Sequence, residues 1–267
     1  MSAVRPYPES VEGVAKGHVG AADHVFNDQF DWDHFDSDAY FDHNYRAVRD
    51  DDREIMKIVR DFFANADIDS RGRAVDVGAG TNLYPSLAML PFCSHLDLWE
   101  YSASNVAWLR RQVAGFGENW DAFWDIYREQ PAYAALSDPR VALAERTEVH
   151  QASVFDLPDR RWDLGTMFFV ACSLSTDLTE FRRAVHAFVG ALKPGAPFAT
   201  AFMAKSQGYF VGDDWFPAVA IDATEVESCL ATVATGVTVT SIEVGAPLRD
   251  GYSGMIVATG RTTTDPQ

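Results

Sequence analysis

The chain has 267 residues, 47 % of them hydrophobic, enough for one packed core of ordinary domain size. Its 22 Lys and Arg stand against 39 Asp and Glu, a formal net charge of −17, a balance that disfavours binding to a nucleic-acid backbone or an anionic membrane surface. No run approaches the ~20 apolar residues of a spanning helix, the opening MSAVRPYPESVEG lacks the apolar stretch of a secretory leader, and Cys93, Cys172 and Cys229 suit neither a disulfide framework nor CxxC metal spacing.

In chain order, residues 23–54 are crowded with Asp, His, Phe and Tyr. His18, His24, His34 and His43 lie in or near that stretch without HxxxH or HExxH spacing, so no metal site is expected. Asp50-Asp51-Asp52 reads as a helix start, favourable against the helix dipole. Ile55, Ile58, Val59, Phe62 and Phe63 then recur at the period of a helix packed on a core. Polar residues 65–73, with Gly72, break the pattern.

RAVDVGAG follows as a buried strand entering a glycine loop, then SLAML as a helix, HLDLWEY as a second strand and SASNVAWLRRQV as a Ser-capped helix. Residues 115–146 read as a helical, loop-rich insertion holding Trp120, Phe123, Trp124 and Tyr127. EVHQASVF and WDLGTMFFVAC are the third and fourth strands, and EFRRAVHAFVGAL is a helix stopped by Lys193-Pro194-Gly195. PFATAFMA is a fifth strand, ATEVESCLATV a helix, and VTVTSIEV and GMIVATG two last strands. Strands alternating with helices predict an α/β, Rossmann-like, doubly wound and mostly parallel sheet of about seven strands. The closing pair predicts an antiparallel edge. Residues 1–70 are expected to form an N-terminal helical cap and residues 71–267 the cofactor-binding domain.

Asp76-Val77-Gly78-Ala79-Gly80 sits between a strand and a helix, where a doubly wound sheet binds its cofactor. Glycine there lets the backbone approach a ligand closely. The third glycine of GxGxxG is missing, since Thr81-Asn82-Leu83 follows. The second strand ends at Trp99-Glu100-Tyr101, where a carboxylate can accept both hydroxyls of a ribose. Loop and acid together predict a nucleoside cofactor, either a dinucleotide or S-adenosylmethionine. The loop follows a long helical segment, a Lys-Pro-Gly turn precedes the fifth strand, and no Tyr-x-x-x-Lys pair offers hydride chemistry. These features favour S-adenosylmethionine and methyl transfer. A nicotinamide-dependent oxidoreductase and a non-catalytic cofactor-binding protein are the alternatives.

DVGAGTNLYP (76–85), WEYSASNVAWLRR (99–111), NWDAFWD (119–125), FRRAVHAFVGALKPG (181–195) and KSQGYFVGDDWF (205–216) together resemble the nicotinamide, phenylethanolamine and indolethylamine N-methyltransferase family, over about residues 35–260. The resemblance implies a tyrosine-bearing N-terminal segment closing over the cofactor, here with Tyr40 and Tyr45. It implies Gly78, Ala79 and Gly80 under the methionine part of S-adenosylmethionine and Tyr84 at its carboxylate. Glu100 would take the ribose, and Tyr101, Ser102 and Asn105 the adenosine and its surroundings. Ser153-Val154 stands where the family has Asp-Val beside the adenine, and Phe168 where it has a small polar residue. The aromatic flap also suits a sulfonium on physical grounds, each good ring contact contributing roughly 0.5–2 kcal/mol.

The family's acid at the end of the fifth strand corresponds to Phe202 here. That exchange predicts a flat, largely neutral aromatic acceptor of the indole class, stacked among Phe168, Phe169, Phe202, Tyr209 and Trp215 and methylated on nitrogen or ring carbon. A simple aryl amine or pyridine is the alternative acceptor. Tyr45, His24 and Asp213 are the candidate bases. The protein is expected to be cytoplasmic, monomeric or homodimeric, with no nucleic-acid or membrane partner.

Overall fold

The computed structural model describes residues 25–69, 71–243 and 253–264. After two short 3-10 turns, the helices and strands are α1 (Ser37–Asn44), α2 (Asp50–Ala64), β1 (Arg73–Val77), α3 (Tyr84–Met89), β2 (His95–Glu100) and α4 (Ala103–Val113). Then come α5 (Asn119–Tyr127), α6 (Pro131–Ala134), α7 (Pro139–Arg146), β3 (Thr147–Gln151), β4 (Leu164–Phe168) and α8 (Leu178–Ala191). The last part holds β5 (Pro197–Met203), β6 (Tyr209–Val211), β7 (Asp214–Phe216), α9 (Ala223–Leu230), β8 (Ala234–Ile242) and β9 (Met255–Thr262).

Seven strands form one sheet in the order β3-β2-β1-β4-β5-β9-β8. The five strands from β3 to β5 are mutually parallel. β9 runs antiparallel to both β5 and β8, so the expected antiparallel edge is the β9–β8 pair. β1, β4 and β5 are apolar almost throughout because both faces are covered. β3, at the sheet's edge, is only half-buried.

α2 places Ile55, Met56, Val59 and Phe63 in the main core, together with the buried residues of β1, β4 and β5. Its first turn carries Asp50, Asp51 and Asp52, as the dipole argument expects, and the last two are buried. The insertion folds into α5–α7 and is fastened by two buried tyrosines. Tyr127 donates to the Tyr84 carbonyl and Tyr133 to the Ala88 carbonyl, each at 2.8 Å, taking up backbone acceptors of α3.

The structure corrects four element expectations. The third strand stops at Gln151, and Val154–Asp156 turns into a 3-10 helix capped by the Ser153 hydroxyl on the Phe155 amide. The helix from Ala223 ends at Leu230 rather than Val233. The fourth strand ends at Phe168, and the tail of the expected WDLGTMFFVAC strand enters a 3-10 helix, Ala171–Ser173. The stretch after β5 is a hairpin of β6 and β7, turning at Gly212 (φ +60°) and Asp213. Among the described residues no helix is long and apolar enough to cross a membrane.

Candidate active site

The carboxyl ends of β1, β2 and β4 open onto a cavity at the point where strand order reverses, the crevice in which doubly wound sheets take ligands. Its empty space is about 850 Å³, part of it open to solvent. The glycine loop forms the floor. Gly78 has φ +63°, and a Cβ there would fall 2.3 Å from Val170 Cγ2. Gly80 has φ +54°, and a Cβ there would meet only the Gly78 carbonyl at an ordinary 3.7 Å, so its need for glycine is conformational alone.

Glu100, at the end of β2, is buried and organises the loop. Its carboxylate accepts from the Gly80 amide at 2.8 Å and from the Ser102 amide at 2.8 Å. Burial raises its pKa, against the lowering effect of those two amides. Ser102 caps α4, and Asn105 in the same turn accepts from the Ser37 hydroxyl at 2.7 Å, tying α4 to α1. Thr81 Oγ1 and Asn82 Nδ2 are buried in residues that line the cavity and lack a protein partner. Buried groups of this kind need a ligand or water to complete them, so the floor is suited to a polar, nucleoside-sized cofactor.

The roof is aromatic. Trp32, Phe35, Tyr40 and Tyr45 come from the N-terminal segment, Phe168 and Phe169 from the end of β4, and Tyr209 from the hairpin. The Tyr40 ring centroid lies 5.0 Å from Phe35, 6.1 Å from Tyr45 and 6.2 Å from Tyr209. Tyr209 in turn stacks on Phe216 at 5.5 Å. Phe169 holds φ +61°, a strained value for a non-glycine residue, of a kind that collects at functional sites. Glu100 is the one carboxylate among the described residues of the lining.

Of the residues singled out in the sequence, the lining contains Tyr40, Tyr45, Gly78, Ala79, Gly80, Glu100, Tyr101, Ser102, Asn105, Ser153, Val154, Phe168, Phe169 and Tyr209. Four others stand elsewhere. Tyr84 lies one layer behind the wall, its hydroxyl on Asp52 and its ring 6.1 Å from Tyr45 and 5.7 Å from Phe168. Phe202 is fully buried, with its ring 5.5 Å from Phe181 of α8. Trp215 sits on the outer face of the hairpin against Phe30 at 5.9 Å, because strand alternation turns Tyr209, Val211 and Phe216 inward instead. Asp213 is exposed at the hairpin turn. His24 lies outside the described residues.

Asn27, Trp32 and Phe35 were not foreseen in the lining. The pairing of Trp32 and Phe35 three apart, just before a helix, was the available signal. The segment is pinned at its start: the Val25 amide donates to Thr176 Oγ1 and the Asn27 amide to Glu180, both at 2.8 Å.

Residues 24–257 match the model of the NNMT/PNMT/TEMT family. Among curated proteins none matches the chain. Among solved structures, the N-methyltransferase NodS from Bradyrhizobium japonicum WM9, in complex with S-adenosyl-L-homocysteine, is similar with a TM-score of 0.51 at 14 % identity, covering 84 % of this chain and 98 % of that one. The [4+2]-cyclase SpnF is similar with a TM-score of 0.51 at 15 % identity, covering 80 % and 82 %. At such identities the likeness shows the fold alone, which a methyltransferase and a cyclase share.

Proposed function

From the premise that the chain belongs to the NNMT/PNMT/TEMT family and is an S-adenosylmethionine-dependent methyltransferase, we propose that its acceptor is a small, flat, largely neutral aromatic metabolite of the indole class, methylated on nitrogen or ring carbon in the cytoplasm. The observation carrying this reading is the composition of the wall. Its rings surround one carboxylate, Glu100, which two backbone amides already engage. An ammonium entering the aromatic half finds no carboxylate of its own there, and a desolvated charge without a partner is costly. A planar neutral ring loses nothing and gains stacking contacts.

S-adenosylmethionine, when bound, supplies an electrophilic methyl group on a sulfonium. Gly78 and Gly80 would let the loop backbone approach it, Glu100 would receive the ribose, and Ser153 and Val154 would flank the adenine. Thr81 and Asn82 offer the unpartnered polar atoms of the floor. Tyr40 and Tyr45 present ring faces that favour a sulfonium, and the roof excludes water so that orientation supplies much of the acceleration. Of the three candidate bases, Tyr45 stands in the wall, and we assign it the handling of the acceptor's proton.

The test is methyl transfer from labelled S-adenosylmethionine across a panel of indoles, pyridines and aryl amines. Turnover of indoles well above that of nicotinamide and phenylethanolamine is expected. Vigorous turnover of nicotinamide would overturn the acceptor assignment and leave the simple pyridine or amine reading in its place.

A further inference from the structure

Away from the cavity, four side chains that the methyl-transfer site does not use meet on one face of the β2–β3 pair. His95 and Asp97 are two apart on β2, as are Glu148 and His150 on β3, so the pleat puts each pair on one side. The strand register sets Glu148 beside Asp97. His95 Nε2 lies 3.0 Å from Asp97 Oδ1 and 4.0 Å from Glu148 Oε2. His150 Nε2 lies 2.8 Å from the same Asp97 oxygen and 3.8 Å from the same Glu148 oxygen. The ligand atoms of His95, Asp97 and Glu148 all fall within 4.8 Å of one another. Around a tetrahedral zinc ion with bonds near 2.0–2.1 Å, adjacent ligand atoms are about 3.3 Å apart. The His95 distances to Asp97 and Glu148 straddle that value, and His150 adds a hydrogen bond to the same Asp97 oxygen.

We propose that His95, Asp97 and Glu148 bind a borderline divalent cation of the Zn²⁺ type, with His150 beside them on the same Asp97 oxygen. Imidazole nitrogen and carboxylate oxygen are donors that this ion takes. Asp97 is prepared from behind: its Oδ2 accepts from Trp162 Nε1 at 2.6 Å and from Arg73 at 3.0 Å, while Oδ1 takes the histidines and a longer contact of 3.4 Å from the same Arg73. Outer partners of this kind hold a ligand in orientation. Two carboxylates outweigh the one guanidinium, and the exposed Glu148 gives an ion its way in.

The ion's role is structural. Asp97 precedes Glu100 by three residues on β2, about 10 Å along the strand, so the cation clamps the edge strand β3 to β2 rather than meeting the acceptor. Those two strands deliver Glu100 and Ser153 to the cavity.

The experiment uses the full-length, untagged protein, stripped with a chelator, dialysed, and titrated calorimetrically with ZnCl₂. A parallel titration with Co²⁺ is read by its visible absorption. One equivalent of Zn²⁺ bound, a higher Tm, and a Co²⁺ spectrum of tetrahedral N/O ligation are expected. Glu148→Gln, at an exposed position, should weaken binding about 10–100-fold, and Trp162→Phe about tenfold through loss of the outer hydrogen bond. His95→Ala combined with Glu148→Gln should abolish it. His34→Ala, which removes an exposed histidine paired with Asp31, should leave it unchanged. No stoichiometric Zn²⁺ binding by the unmodified protein, or binding that the double variant retains, overturns the assignment.

Discussion

Tyr84 donates its phenolic hydrogen to Asp52 Oδ1 at 3.0 Å, and both side chains are buried behind the aromatic wall of the cavity. Burial first, and the neighbouring Asp51 carboxylate second, push the Asp52 carboxyl up to about 7, against the lowering effect of Tyr84 and Arg49. The pair supports the wall from behind, since Tyr84 packs edge-on against both Tyr45 and Phe168.

That relationship has a pH consequence. A carboxyl whose pKa is raised on folding binds its proton more tightly in the native state. Its stabilising effect is full below the ordinary carboxylate range and is lost as pH rises towards and through about 7. Asp52→Asn keeps an acceptor for Tyr84 and cannot ionise. Urea unfolding at a series of pH values should therefore show the variant gaining stability relative to the parent between about pH 4 and pH 7, with little further change above. A stability difference that stays constant, or runs the other way, would count against the buried-acid account.

Gly78→Ala should be severely damaging for two separable reasons. The Cβ meets Val170 Cγ2 at 2.3 Å, and φ is +63°. The left-handed conformation alone costs about 1–2 kcal/mol. Val170→Ala in the same chain should recover the steric part of the loss in Tm and leave the conformational part. Full recovery would show that conformation contributes little.

Glu100→Ala should weaken S-adenosyl-L-homocysteine by about 1–3 kcal/mol in calorimetry, the usual effect of losing hydrogen bonds to a charged acceptor. Because Glu100 also receives the Gly80 and Ser102 amides, the substitution should loosen the loop and lower Tm as well. Unchanged affinity would remove the ribose assignment.

Phe202→Asp should unfold or strongly destabilise the protein instead of conferring turnover of amines. The ring is fully buried against Phe181, and a carboxylate placed there has no partner and no water. Phe202→Leu should fold with a modest loss and with acceptor preference intact. Gain of amine turnover in a well-folded Phe202→Asp protein would return this position to the acceptor site.

Protease protection of residues 31–49 should rise when S-adenosyl-L-homocysteine is added, because Trp32, Phe35, Tyr40 and Tyr45 roof the cavity. Equal cleavage with and without the cofactor would reduce the segment to a static cover.

The sequence alone determined what rests on short-range chemistry at fixed spacing. Alternating apolar strands and helices imply the parallel sheet, and a glycine turn followed one strand later by Glu100 implies the nucleoside floor. Both follow from pleat, helical period and backbone freedom, which act over a few residues. Which way a ring faces depends instead on strand parity and on what covers the strand. Phe202 and Trp215 carry the right chemistry for an acceptor wall, but parity turns the first under α8 and the second to the outside of a hairpin. Tyr84 is taken by Asp52, 32 positions away in the chain. Likewise His95, Asp97, Glu148 and His150 share no local motif, because β2 and β3 are separated by four helices and meet only through sheet register. Tertiary structure decided these placements, since hydrogen bonding between strands and burial beneath helices act between segments that sequence spacing does not relate.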